Sequence, residues 1–309
     1  MTRSSRGSNA KSSSPPLRVA DPFPTVALPD PSWPIGKHAF LSLRAVQRRG
    51  RTEVDPIARR VPYQWHPLFF QDHDDQPFVL LHNSAGGFVE GDAAEVHVLA
   101  EAGTRSLFTT TAATKFYKCE AGEISHDLVS FTLSEGALLE YLPDEVIPFA
   151  DSRVERTVRV ALDVSSRLFA SDILSAGRAS FGTGEAFAFA SMRSQFELRI
   201  GGRVVILDRL VACEPGDVAA LSGLWGRHTY LATAVAYAPS LPDTLLDRVR
   251  EGCDALVGSC DAAATMVDGV VFVRVLADRA WHAHDAVYRV WEAVRPAVAG
   301  KAAQRIRKP

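Results

Sequence analysis

The chain has 309 residues, 47% hydrophobic and 23% charged, with a formal net charge of −2. That size supports one large domain or two intimate ones, and the balance is that of an ordinary soluble globular protein. With charge so near zero there is no basic excess to neutralise a phosphate backbone, which excludes nucleic acid as a partner.

From Met1 to about Pro34 the chain is rich in Ser and Pro, a composition that opposes helix and leaves little to bury, so residues 1–35 are expected to be a disordered tail. Residues 1–20 carry Ser and Arg but no acid, as organelle transit peptides do, yet they lack the amphipathic pattern of one. A single β-rich domain, including C-terminal helices, is expected over 36–309. Period-two alternation dominates its middle. Val96 and Val98 share a face opposite Glu95 and His97, and Val129, Phe131 and Leu133 repeat the pattern. Val154, Val158 and Val160 follow, then Phe196, Leu198 and Ile200, before Gly201-Gly202, a two-residue hairpin signal.

Helical spacing arrives late. Leu245, Val249, Cys253 and Leu256 fall on one face after Pro242-Asp243, and a second helix is predicted from about Asp285 to Ala297 with Val287, Val290, Trp291 and Val294 inward. Between them Asp268-Gly269 predicts another hairpin. The whole reads as mainly β: an elongated, stacked or helix-like antiparallel β-sheet scaffold with two α-helices near the C-terminus.

Cys119, Cys213, Cys253 and Cys260 form no C-x-x-C pair, and a chain of this length needs no disulfide staples, so a reducing, cytoplasmic setting is expected. No apolar run reaches the roughly 20 residues that span a bilayer, and no secretory signal is present, so no membrane partner is expected. The signatures of P-loop hydrolases, dinucleotide-binding folds, serine-hydrolase elbows and H-E-x-x-H metalloproteases are all missing, so the chain reads as a non-enzyme.

Three strings stand out. Gly86-Gly87-Phe88-Val89-Glu90-Gly91-Asp92 follows an apolar strand, and glycines this dense imply positive φ or close backbone approach. Leu107-Phe108-Thr109-Thr110-Thr111-Ala112-Ala113-Thr114-Lys115-Phe116-Tyr117-Lys118 favours extended backbone, with hydroxyls able to ladder across strands. The third, Gly136 to Phe149, sets Glu140, Asp144 and Glu145 among bulky apolar residues, with Pro143 and Pro148 limiting it to an edge or loop.

In this order and spacing the strings resemble the urease accessory protein UreD (UreH) family, whose segments look like G-G-apolar-apolar-G-G-D, L-L-T-T-x-A-A-T-K-apolar-Y-R and G-A-x-L-E-W-L-P-Q-E-T-I-x-F. A weaker fourth segment runs from Ser171 through Gly177-Arg178 to Gly184-Glu185-Ala186-Phe187. The departures are Glu90 for a usual glycine, Tyr141 for tryptophan, Asp144 for glutamine, two extra residues between Arg178 and Glu185, and an ending, Gln304-Arg305-Ile306-Arg307, without the family's tryptophan.

The resemblance implies a non-catalytic scaffold that binds a UreF-like accessory protein and, through it, a UreG-like GTPase, docks on urease subunits, and conveys nickel to the urease active site through an internal tunnel. No tightly bound cofactor is implied, only Ni2+ in transit. Such a conduit calls for spaced carboxylates rather than clustered thiolates or imidazoles, which would hold the ion too firmly. Asp92, Glu140, Glu145, Asp172 and Glu185, beside apolar strand segments, are the candidate transient nickel path, with Asp92, Glu145 and Glu185 expected to line an internal polar route. His282-x-His284 opens the predicted helix, where positions i and i+2 diverge, so a capping or surface role is expected. Trp281 and Trp291 are read as core packing or a partner surface. The rival function is a carboxylate-based hydrolase using Asp144 and Glu145, disfavoured because neighbours on a strand point to opposite faces. A structural β-domain without metal traffic is the third.

Overall fold

The computed structural model describes residues 28–32, 36–66, 69–72, 74–182, 184–256, 258–306 and 308; residues 1–27 and 33–35 of the expected tail lie outside the described residues. In chain order the elements are β1 (His38–Arg48), β2 (Arg51–Arg60), β3 (Tyr63–Trp65), β4 (Phe78–Asn83), β5 (Ala93–Ala100), β6 (Arg105–Thr110), β7 (Thr114–Phe116), β8 (Ser125–Leu133), β9 (Leu138–Tyr141) and β10 (Val146–Pro148). There follow β11 (Arg153–Leu162), β12 (Arg167–Ser175), β13 (Ser191–Ile200), β14 (Arg203–Ala212), α1 (Pro215–Trp225), β15 (Tyr230–Tyr237), α2 (Leu245–Asp254), β16 (Cys260–Val267), β17 (Val270–Ala277) and α3 (Ala280–Ala299).

Two sheets face each other, one ordered β14-β13-β11-β8-β5-β1-β2 and the other β16-β17-β15-β12-β9-β6-β4-β3. From β4 to β13 the chain passes from one sheet to the other and back, and each visit lays a strand parallel to the last: β5, β8, β11 and β13 in the first sheet, β4, β6, β9 and β12 in the second. The result is a helix-like coil of strands, mainly β as expected. Its central pairing, however, is parallel and not antiparallel. Period-two burial is the same in both arrangements, and only tight turns distinguish them. Where tight turns exist, the pairing is antiparallel: Gly201 and Gly202 close β13–β14, and Asp268 and Gly269 close β16–β17, all four residues at positive φ.

Burial follows the alternation. On β5, Val96 and Val98 point into the space between the sheets, joined by Val129 and Phe131 of β8 and Val158 and Val160 of β11. The second sheet is covered on both faces: Leu168, Ala170 and Leu174 of β12 turn inward while Phe169 and Ile173 lie under the helices. Each such Leu, Val or Phe stabilises by about 1.5–3 kcal/mol relative to exposure. Leu245, Val249 and Cys253 of α2 and Val287, Val290, Trp291 and Val294 of α3 form that outer cover. The two expected helices are therefore present, α3 starting five residues earlier than predicted and carrying Pro296 inside its last turn. The third helix, α1, was unexpected: only Val218 and Trp225 are buried along it, too few to print a helical stripe, and its start is fixed by Pro215 and a capping exchange between Glu214 and Asp217. All four cysteines are unpaired, and no described helix is long and apolar enough to cross a membrane.

Candidate functional site

Every passage from the second sheet to the first occurs at one end of the coil, through residues 84–92, 111–124, 142–152 and 176–190. The first family-like string lies there whole, and the second, the third and the fourth segment run into it from β6, β9 and β12. Phe88 pairs in parallel with Phe116, and β7 with β10, which gives the coil a narrow third side. Packing fixes the residue types: Phe88 stacks on Phe116 at 4.6 Å, and Tyr117 meets Phe149 edge-on at 5.1 Å. The Arg178 guanidinium lies over Phe149 at 4.1 Å and Phe181 at 3.9 Å. A Cβ at Gly87 would sit 2.7 Å from the Lys115 carbonyl, so only glycine lets the first two strings approach.

The departures at Glu90 and Asp144 have local roles. Glu90, in place of a glycine, accepts the backbone N–H groups of Glu120, Ala121 and Glu123 at 2.8–2.9 Å. Those bonds, Ala121's foremost, hold its carboxyl below the usual range. Asp144 sits in the segment after β9 that the threonine run braces. Thr109 Oγ1 donates to the Leu142 carbonyl at 2.5 Å, and the Asp144 N–H donates to Thr110 Oγ1 at 2.8 Å. The expected hydroxyl ladder is thus largely a clamp on the third string, although Thr111 does pair across to His82.

This clamp brings Asp144 and Glu145 to the same place. They precede β10 in non-strand backbone, so the opposite-face argument does not apply to them. One donor atom each from Asp144, Glu145 and His284 lies within 4.8 Å of the others. His284 Nε2 is 2.8 Å from Glu145 Oε2, and Lys308 Nζ is 2.5 Å from Asp144 Oδ1. Burial alone would raise the Glu145 carboxyl, but the His284 hydrogen bond, with Lys308 nearby, outweighs it and holds it below the ordinary range. Asp144 and His284 line a cleft of about 810 Å³ between the second sheet, α3 and the C-terminal residues. His282, by contrast, bonds Asp278 at 2.7 Å, the capping or surface role expected of both histidines. Trp281 is exposed and Trp291 buried.

The five path candidates do not converge. Asp92 caps its turn, accepting the Val89 N–H at 2.9 Å, with its other oxygen 3.4 Å from Lys37. Glu185 forms a two-pronged pair with Arg178. Glu140 faces the helices and has both oxygens engaged: Oε1 accepts from Trp291 Nε1 and Arg295 Nε, and Oε2 from Gln76 Nε2 and Arg295 Nη2, all at 2.5–3.0 Å. Arg295 also grips Asp72, which in turn holds Lys301.

Asp172 lies on the opposite face of that sheet, inside the coil. Its Oδ2 accepts from Arg156 Nη1 at 2.7 Å, and Arg156 Nε stands 3.4 Å from Asp127 Oδ2. All three side chains are buried, yet Asp127 Oδ1, Asp172 Oδ1 and Arg156 Nε have no hydrogen-bond partner among the described residues. Burial pushes the Asp127 carboxyl up to about 6 despite Arg156, helped by the Asp172 charge. Sequence reasoning missed Asp127, Arg156, Asp144 as a donor, and the outward reach of His284. A usable signal existed for the last: His284, Tyr288, Trp291 and Arg295 share one helical face, a polar and aromatic stripe where an apolar one is the rule.

The chain matches the model of the UreD urease accessory protein family over residues 37–308. It is 34% identical over 197 residues to the urease accessory protein UreD of Herpetosiphon aurantiacus, covering 63% of this chain and 67% of that protein. It is 26% identical over 271 residues to UreD of Alcanivorax borkumensis, covering 88% and 90% of the two chains. Urease accessory protein UreD 2 of Brucella ovis is 26% identical over 275 residues, 87% of this chain and 91% of that one.

Proposed function

The chain belongs to the UreD family of urease accessory proteins, and from that premise we propose that it is a scaffold that conveys Ni2+ to urease while bound to a UreF-like accessory protein, a UreG-like GTPase held through it, and the urease subunits. A role in urease maturation follows from the family itself.

One observation supports passage of the ion through the coil: the half-satisfied carboxylates of Asp127 and Asp172 around Arg156. Buried polar atoms without protein partners are met by water or an ion, and hard oxygen donors shared with water bind a divalent cation loosely enough to release it. Of the five path candidates, Asp172 and Glu145 offer oxygens to a passing ion. Glu140 and Glu185 have both of theirs in hydrogen bonds, and Asp92, although its Oδ1 also lacks a hydrogen-bond partner among the described residues, is tied to its turn and faces the Lys37 ammonium.

Co-expression of the tagged full chain with urease subunits and the two accessory partners tests the reading. Capture of urease and the UreF-like chain, together with urease activity that falls at least about tenfold in the Asp127→Asn/Asp172→Asn variant while capture persists, is expected. Absence of capture overturns the scaffold; full activation by that variant overturns the internal route.

A further inference from the structure

Asp144, Glu145 and His284 join elements far apart in the chain at the mouth of a cleft, and they lie outside the interior carboxylate pair. We propose that these three side chains form a divalent transition-metal site on the outer, helix-covered side of the second sheet, in which Lys308 is the internal cation that the metal displaces. The proposal rests on the nickel-conveying reading only for the physiological metal.

Geometry supports it first. Two cis ligands held at about 2.0–2.2 Å from one metal stand about 3 Å apart, and His284 Nε2 and Glu145 Oε2 are 2.8 Å apart. The third donor atom, from Asp144, is within 4.8 Å of both, so a modest side-chain closure completes a three-sided N,O,O set. One imidazole and two carboxylates suit borderline divalent ions such as Ni2+ and Zn2+, and three protein ligands leave positions for water. The site opens onto the 810 Å³ cleft, which gives an ion a way in and out.

The second support is independent of ligand spacing. A cation already occupies one of the donors: the Lys308 ammonium lies 2.5 Å from Asp144 Oδ1. Asp144 is positioned from its backbone by Thr110, and Glu145 by the bond from the Thr114 N–H to its carbonyl at 2.9 Å. The acids therefore keep their place when the lysine leaves. On metal entry the proton that Nε2 shares with Glu145 leaves to water while the ring keeps or takes one on Nδ1, so that Nε2 and Glu145 Oε2 each bond the ion in place of their hydrogen bond.

Equilibrium dialysis of the purified full-length chain against Ni2+, with Co2+ visible absorption as a report of imidazole ligation, tests this. The wild type is expected to bind one Ni2+ at this site. His284→Ala and the double variant Asp144→Asn/Glu145→Gln are each expected to weaken it at least about tenfold and to remove the Co2+ band. His282→Ala, whose ring is turned to Asp278, is expected to stay within about twofold, and Lys308→Met to bind several-fold tighter because Asp144 loses its competing ammonium. Thermal melts confirm that each variant is folded; if His284→Ala is not, the carboxylate double variant decides. Unchanged Ni2+ binding in that variant overturns the site while leaving urease capture, and so the scaffold reading, untouched. Loss of capture with Ni2+ binding intact does the reverse.

Discussion

Arg295 and Arg156 are both buried between two carboxylates, on either side of one sheet, yet they differ in how completely they are answered. Arg295 meets Glu140 and Asp72 with every facing oxygen of Glu140 bonded, and Trp291 and Gln76 finish the set. Arg156 meets Asp172 squarely and Asp127 at a distance, leaving three polar atoms unfilled. Around Arg295 the carboxylate oxygens of Glu140 are all bonded and only the neutral Gln76 Oε1 is left over; a buried network whose charges are answered fixes geometry, and one with carboxylate oxygens still open retains capacity to bind something else. The first cluster fastens α3 to the coil. The second gives the coil a polar interior. Acid content alone would have placed Glu140 and Asp172 in the same role; their hydrogen bonds separate them.

The largest effect is expected at Glu140. Glu140→Ala leaves Arg295 without its main counter-charge in a buried site and is expected to destabilise the chain by about 3–5 kcal/mol, read by urea denaturation. A loss under about 1 kcal/mol would remove the distinction between the clusters. Arg156→Met is expected to cost less, about 2–3 kcal/mol, because the two acids it leaves can share a proton.

The smallest effect sharpens the contrast through pH. Asp127 has a folded pKa of about 6 against roughly 3.9 when unfolded. Between those values the folded chain holds the extra proton, so this group adds stability as pH falls through 6 and levels off below about 4. Relative to Asp127→Asn, the wild type should gain about 1–2 kcal/mol between pH 7.5 and 5. Parallel pH profiles for the two proteins would contradict a raised Asp127.

The strands β5, β8 and β11 of the first sheet were readable because one face of each is buried: Val96, Val98, Val129, Phe131, Val158 and Val160 all alternate as written. Their direction was not, since alternation carries no sign of parallel or antiparallel pairing. The family-like strings were legible as a set, but their stacking into a third side of the coil depends on Phe88–Phe116 and β7–β10 pairings between segments some thirty residues apart. The candidate metal donors are harder still. Glu145 and His284 were each singled out, but they are separated by 139 positions, and nothing local links them. Asp144 stood out as a departure from the family pattern and as half of the rival hydrolase pair, not as a metal donor, and Glu140 as a path candidate in apolar company. The arginine that answers Glu140 lies 155 positions away on a helix whose inward apolar residues had drawn the attention.

That separation of 155 positions orders events in time during synthesis. At about 5–20 residues per second, Glu140 emerges on the order of ten to thirty seconds before Arg295. Once β12 has followed and until α3 emerges, Leu138, Leu142, Phe169 and Ile173, which the helices cover in the folded chain, have no helix over them, and the Glu140 carboxylate beside them has no arginine. The acid then acts as a temporary guard, a hydrated charge that discourages self-association of an apolar face until the last helix arrives to cover both.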